Sequence, residues 1–137
     1  MHLKLTLEYD GTPFHGWAAQ PGLPTVEAAL REALDETFSS VGALAVAGRT
    51  DTGVHALANI VTVEVAGGPP ALRAAQALNT RLPDEISVVT AEESPPELHA
   101  RFSARSRSYR YRIFNRRTPS PFEIRRSWWI PQATLSA

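Results

Sequence analysis

The sequence contains no cysteine. That absence excludes disulfide frameworks, thiolate zinc sites and thiol nucleophiles together, and it fits a reducing compartment. Lysine is nearly absent too: 13 of the 14 basic residues are arginine. No apolar run approaches the roughly 20 residues of a membrane span. No secretory signal pattern opens the chain, because Lys4 and Glu8 interrupt its first strand-like run. A soluble, cytoplasmic protein without a membrane partner is expected. Phosphate-cradling glycine motifs are missing, as is a Gly-x-Ser-x-Gly elbow. Asp10, Asp51, His15, His55 and His99 lie in loops or at strand ends, without metal-ligand spacing. The expectation is therefore no cofactor and no metal.

What is present fits one globular domain: 137 residues, 43% apolar and 20% charged. The formal net charge is zero, but it is unevenly spread. Met1 to Leu98 carry five basic and thirteen acidic residues, whereas His99 to Ala137 carry nine arginines and one acid, Glu123. Such a split marks either a polyanion-facing segment or a merely solvated arginine-rich face.

The periodicities outline an alternating fold. "HLKLTLEY" alternates Leu3, Leu5 and Leu7 with polar residues, which predicts a half-buried strand. "DGTPFHGWAAQPGLP" is rich in Gly and Pro and predicts a long loop. Thr25 predicts a helix N-cap, followed by an apolar face of Val26, Ala29, Leu30, Ala33, Leu34 and Phe38; Ser39, Ser40 and Gly42 should end that helix. "ALAVA" and "LANIVTVEVA" read as strands, and "ALRAAQALNTRL" reads as a second helix facing the core with Leu72, Ala75, Leu78 and Leu82. "EISVVTAEES" reads as a strand, "PPELHARFSARS" as a loop, "RSYRYRIFN" as an alternating strand and "RRSWWI" as one more. The order β-α-β-β-α-β predicts an α+β fold: a ferredoxin-like (RRM-like) antiparallel sheet with both helices on one face and the other face free. Exposed sheets of this layout often carry RNA.

One segment between two apolar strands is densely polar: "AGRTDTGVHA", Ala47 to Ala56. Asp51 stands between Arg49 and Gly53 on a turn entered from an apolar strand. A guanidinium beside a carboxylate favours the ionised form, and an ionised, oriented carboxylate is a usable nucleophile. The same residues also suit a turn-capping aspartate paired structurally with Arg49. Gly48 and Gly53 would let the backbone turn tightly and admit a ligand closely.

"GRTDTGVHA" resembles the signature of the TruA family of tRNA pseudouridine synthases, Gly-Arg-Thr-Asp-Ala-Gly-Val-His-Ala. "YDGTPFHGW", "LNTRLPDEI" and "LHARFSARSRSYRYRIFN" resemble three further segments of that family, in the family's order. The chain departs from the pattern at Thr52, Ala18 and Glu85, none of which is Arg49, Asp51 or Tyr109. The resemblance implies one half of a pseudouridine synthase fold. Residues 1–115 would be the subdomain bearing the catalytic aspartate, and 116–137 the start of a connection to a second subdomain, so the chain is expected to be a fragment.

The resemblance further implies that uridine is isomerised to pseudouridine at positions 38, 39 and 40 of the tRNA anticodon stem-loop. Asp51 would be the nucleophile. It would attack C1′, add to the uracil ring or assist proton removal from the sugar. Arg49 would hold the flipped base, a role suited to a planar cation. Tyr109 would pack on the uracil; without the resemblance it reads as an ordinary strand aromatic. Thr50 and Gly53 would line the substrate site. Arg101, Arg105, Arg107, Arg110 and Arg112, with Arg116 and Arg117, are candidates for RNA-backbone contacts. Family members are homodimers. A non-catalytic RNA-binding module on the same sheet remains the alternative.

Overall fold

The computed structural model describes residues 1–103, 113–115 and 128–130. The chain forms two compact units, Met1–Arg105 and Ser106–Ala137.

In the first unit the elements are β1 (His2–Tyr9), α1 (Val26–Thr37), β2 (Ser40–Val41), β3 (Ala45–Val46), β4 (Ala56–Ala66), α2 (Ala71–Asn79) and β5 (Ile86–Glu93). The sheet runs β2-β4-β1-β5, with β3 also paired to β4, and every pairing is antiparallel. This is the ferredoxin-like order expected from the β-α-β-β-α-β pattern. Leu3, Leu5, Leu7 and Tyr9 alternate onto one face of β1 and are buried. Their neighbours Val61 and Val63 on β4 and Val88 on β5 join Leu30 and Leu34 of α1 and Leu78 of α2 in one core. Burying each such side chain contributes roughly 1.5–3 kcal/mol, which sets both helices on this face.

Thr25 caps α1, its hydroxyl accepting from the Ala28 N–H at 3.3 Å. The face Val26, Leu30, Ala33 and Leu34 is buried, and Phe38 is buried just past the last turn. Ser40 does not end the helix, contrary to the sequence reading. It opens β2, paired with Ala66, and the expected single strand over "ALAVA" becomes Ala45–Val46 alone. The outer strand is thus delivered in two short pieces. Gly42, between them, still donates to the Glu64 carbonyl at 2.8 Å.

Leu72 was expected on the buried face of α2, yet it is 93% exposed. The inward positions are Ala74 and Leu78, flanked by the partly buried Ala71 and Ala75. Leu72 lies six residues before Leu78, about 120° round a helix of 3.6 residues per turn. Its three-residue spacing from Ala75 therefore misleads. Leu82 does reach the core, but from a turn after Asn79 rather than from the helix. Asn79 docks on the edge strand β5, where its side chain donates to the Val88 carbonyl and accepts the Val88 N–H at 2.7 Å.

The face away from the helices was expected to be free. It is covered at Thr62, which is 1% exposed and whose hydroxyl accepts the backbone N–H of Ala100 at 3.0 Å. The Leu98 carbonyl also meets Nε2 of His2 at 2.7 Å. The segment after β5 therefore folds back over this face, pinned by polar contacts that no apolar periodicity announces.

In the second unit, β6 (Ile113–Asn115) and β7 (Trp128–Ile130) pair in parallel. They carry the ends of the two strands expected from "RSYRYRIFN" and "RRSWWI".

Candidate active site

Three chain reversals meet at the C-terminal end of β1. The loop 10–24 leaves β1 there, the segment 47–55 connects β3 to β4, and the start of β5 is tied in by the Asp10 N–H donating to the Glu85 carbonyl at 2.9 Å. Although it lacks regular structure, the 10–24 loop is well anchored. Phe14 and Trp17 enter the core, and the Trp17 ring lies 6.4 Å from that of Tyr9. The Gly16 and Trp17 carbonyls accept the Val26 and Glu27 N–H groups, satisfying two of the orphan donors at the start of α1. Glu27 returns a bond, its carboxylate accepting from the Ala19 N–H at 2.9 Å.

This loop grips the Asp51 segment along its length. The Trp17 N–H donates to the Thr50 carbonyl at 2.9 Å, and the Gly53 N–H donates to the Phe14 carbonyl at 3.3 Å. Gly11 donates to Nδ1 of His55 at 2.9 Å, and the same nitrogen is 3.2 Å from Oδ1 of Asp10. A Cβ on Gly11 would overlap the Val54 carbonyl oxygen. A Cβ on Gly16, at φ 79°, would lie 2.8 Å from the Thr50 carbonyl oxygen. Both glycines permit one backbone to lie against the other.

Asp51 sits on the outer tip. Its carbonyl accepts the Val54 N–H at 3.1 Å, closing a turn whose third residue, Gly53, has φ 78°. That conformation calls for glycine at i+2. A Cβ on Gly53 would meet nothing within 4 Å, so glycine is there for its backbone angle, with open space above it. Asp51 and Arg49 are both exposed. The alternative reading, a structural pair of Asp51 with Arg49, is not formed: no ion pair joins them among the described residues. The Asp51 carboxylate thus faces outward from an anchored turn, where it can meet a ligand atom as nucleophile, base or hydrogen-bond acceptor.

Thr50 points the other way. Its hydroxyl lies 2.8 Å from the Tyr9 hydroxyl, inside the fold. Arg101 is exposed, with its guanidinium carbon 5.7 Å above the Phe102 ring; that ring stacks at 4.2 Å on His99. The structure thus brings Arg49, Thr50, Asp51 and Gly53 together in one loop. Tyr109, Arg105, Arg107, Arg110 and Arg112 lie outside the described residues.

The sequence reading missed the supports of this loop. Tyr9 reads as the last apolar position of a strand. Asn59 precedes the β-branched run that starts at Ile60; a polar residue there was the available signal. The Asn59 side chain donates to the Gly48 carbonyl at 2.8 Å and to the Tyr9 hydroxyl at 3.1 Å, and accepts the Gly48 N–H at 3.3 Å.

A ferredoxin-like half of the pseudouridine synthase fold, presenting one outward carboxylate on an anchored turn, is the class that fold and site define together. Residues 6–103 match the protein family described as tRNA pseudouridine synthase. The chain is 45% identical over 128 residues to tRNA pseudouridine synthase A of Rhodospirillum centenum, covering 93% of this chain and 52% of that protein. It is 46% identical over 132 residues to the protein of that name from a Bradyrhizobium species, covering 94% and 53%. The Sinorhizobium fredii protein of that name is 39% identical over 132 residues. The chain belongs to the tRNA pseudouridine synthase family, and it spans about half the length of these relatives.

Proposed function

We propose that the protein carrying this chain isomerises uridine to pseudouridine in tRNA, with Asp51 as the nucleophile. The observation that carries the reading is the Asp51 carboxylate, held outward on a turn clamped by the 10–24 loop, in a chain of this family. The isomerisation breaks the N-glycosidic bond, rotates the uracil and joins C5 of the ring to C1′. It changes no oxidation state. An ionised acid close to the base serves attack at C1′, addition to the ring or proton removal from the sugar.

Arg49 is exposed two residues away, near enough in sequence to share a flipped nucleotide with Asp51. Thr50 and Gly53 shape the turn beneath them. We further propose the anticodon stem-loop, at positions 38, 39 and 40, as the substrate region. Tyr109 is proposed to stack on the uracil, and Arg101, Arg105, Arg107, Arg110 and Arg112 to contact phosphates. The nine arginines against one acid from His99 onward support a polyanionic partner. A cytoplasmic homodimer is proposed from the family resemblance.

The test is Asp51→Ala in the complete protein, assayed for pseudouridine in tRNA. Loss of conversion with retained, salt-dependent tRNA binding is expected. Undiminished conversion overturns the role of Asp51. Salt-dependent binding by the unaltered protein, with no conversion at all, identifies a binding module instead.

A further inference from the structure

We infer that Tyr9 and Asn59 are positioning residues for the Asp51 turn, acting through Thr50; the inference rests on the proposed role of Asp51. The Asn59 amide can be oriented without ambiguity. The Gly48 N–H needs an acceptor and the Gly48 carbonyl needs a donor, so Oδ1 faces the N–H at 3.3 Å and Nδ2 faces the carbonyl at 2.8 Å. The second Nδ2 hydrogen then goes to the Tyr9 hydroxyl at 3.1 Å.

The same Tyr9 hydroxyl is hydrogen-bonded to Oγ1 of Thr50 at 2.8 Å. The path therefore runs Gly48, Asn59, Tyr9, Thr50, and Thr50 is bonded in the chain to Asp51. It holds both ends of the strand-to-turn passage. Gly48 is fixed as the chain leaves β3, and Thr50 as it enters the turn.

Rigid strands supply both anchors. Tyr9 is 3% exposed at the end of β1, beside the Trp17 ring. Asn59 stands on β4, where β1 pairs with it as Leu7 against Asn59. β3 stops at Val46, and the Ala47 N–H still donates to the Ile60 carbonyl at 2.9 Å. Beyond that point the Asn59 side chain continues the ladder in place of a backbone partner. Side-chain bonds thus extend the sheet to the residue before the carboxylate. Neither Tyr9 nor Asn59 is at the outer surface of the turn, so each acts by placing Asp51 and not by touching RNA.

The test compares Tyr9→Phe, Asn59→Ala, Thr50→Val and Thr50→Ser in the complete protein. Pseudouridine formation is measured as kcat and KM, with thermal stability and amide hydrogen exchange at Gly53 and Val54 alongside. Tyr9→Phe keeps the buried ring and removes only the hydroxyl. It is expected to lower kcat about tenfold, the scale of a small misplacement of a reacting group. KM for tRNA should stay within about twofold, as expected when geometry and not binding is disturbed. Exchange at Gly53 and Val54 should quicken, and Thr50→Ser should recover most of the rate lost in Thr50→Val. Unchanged kcat and exchange in Tyr9→Phe overturn the inference, as does a fall in kcat that only follows a fall in Tm. If Asp51→Ala keeps full activity, the proposed nucleophile fails instead, and exchange alone decides whether the network holds the turn.

Discussion

The backbone N–H of Gly11 donates to Nδ1 of His55 at 2.9 Å, joining positions 44 residues apart. One residue opens the loop after β1, and the other closes the segment that carries Asp51. Replacing His55 with Ala leaves the partly buried Gly11 amide without this acceptor. A loss of about 1–2 kcal/mol in stability is expected, the range for an unmet buried donor. The urea midpoint measures it. A midpoint equal to that of the unaltered protein contradicts the tether.

Gly16 and Gly22 share a positive φ, 79° and 74°, but differ in surroundings. At Gly16 a Cβ would meet the Thr50 carbonyl at 2.8 Å; at Gly22 it would meet nothing within 4 Å. Alanine at Gly22 therefore incurs only backbone strain, about 1–2 kcal/mol. Alanine at Gly16 incurs that strain and also pushes the Asp51 segment away. Gly16→Ala is expected to be the more destabilising and to lower pseudouridine formation, while Gly22→Ala leaves formation intact. Equal effects on stability and rate would show that the two loops are not in contact at Gly16.

Thr62 is a buried polar residue with a stated partner, the Ala100 N–H at 3.0 Å. Thr62→Val keeps the shape and removes the acceptor. A cost of roughly 1–3 kcal/mol is expected, with faster hydrogen exchange at Ala100. Protection at Ala100 that survives the substitution argues that other contacts hold the segment on the sheet.

Leu72 and Leu78 lie on one helix with opposite fates, 93% and 0% exposed. Leu78→Ala should cost about 2–5 kcal/mol through lost burial and a cavity. Leu72→Ser should stay within about 0.5 kcal/mol, as surface changes do. Chemical denaturation of both variants checks the assignment of the buried face.

Local patterns carried much of this fold. β1 and α1 were legible because a period of two at Leu3, Leu5 and Leu7 and spacings of three and four from Val26 to Phe38 each demand one buried side. The N-cap at Thr25 was legible because a hydroxyl before an apolar periodic run meets orphan N–H groups. Patterns failed where pairing or angle decided. β2 holds only Ser40 and Val41, too short to show a period, and exists because β4 extends far enough to pair with it. Leu72 failed because alanines define the inward side of α2, and alanine carries little hydropathy signal. The cover at Thr62 failed because a hydroxyl on a strand gives no hint that a distant amide will find it.

The candidate site divides in the same way. By itself the sequence determined that a Gly-Arg-Thr-Asp-Thr-Gly segment lies between two strands, with glycine where a turn requires positive φ, and that the segment resembles a family signature. Those properties are local, set by residue type and spacing. Only the tertiary structure decided which way each side chain of that segment faces. Asp51 turns outward without an ion pair to Arg49, and Thr50 turns inward to Tyr9. The deciding contacts come from Gly11, Gly16, Tyr9 and Asn59, on other strands and loops. Their hydrogen bonds and close backbone packing form only once the sheet has brought the ends of β1 and β4 together.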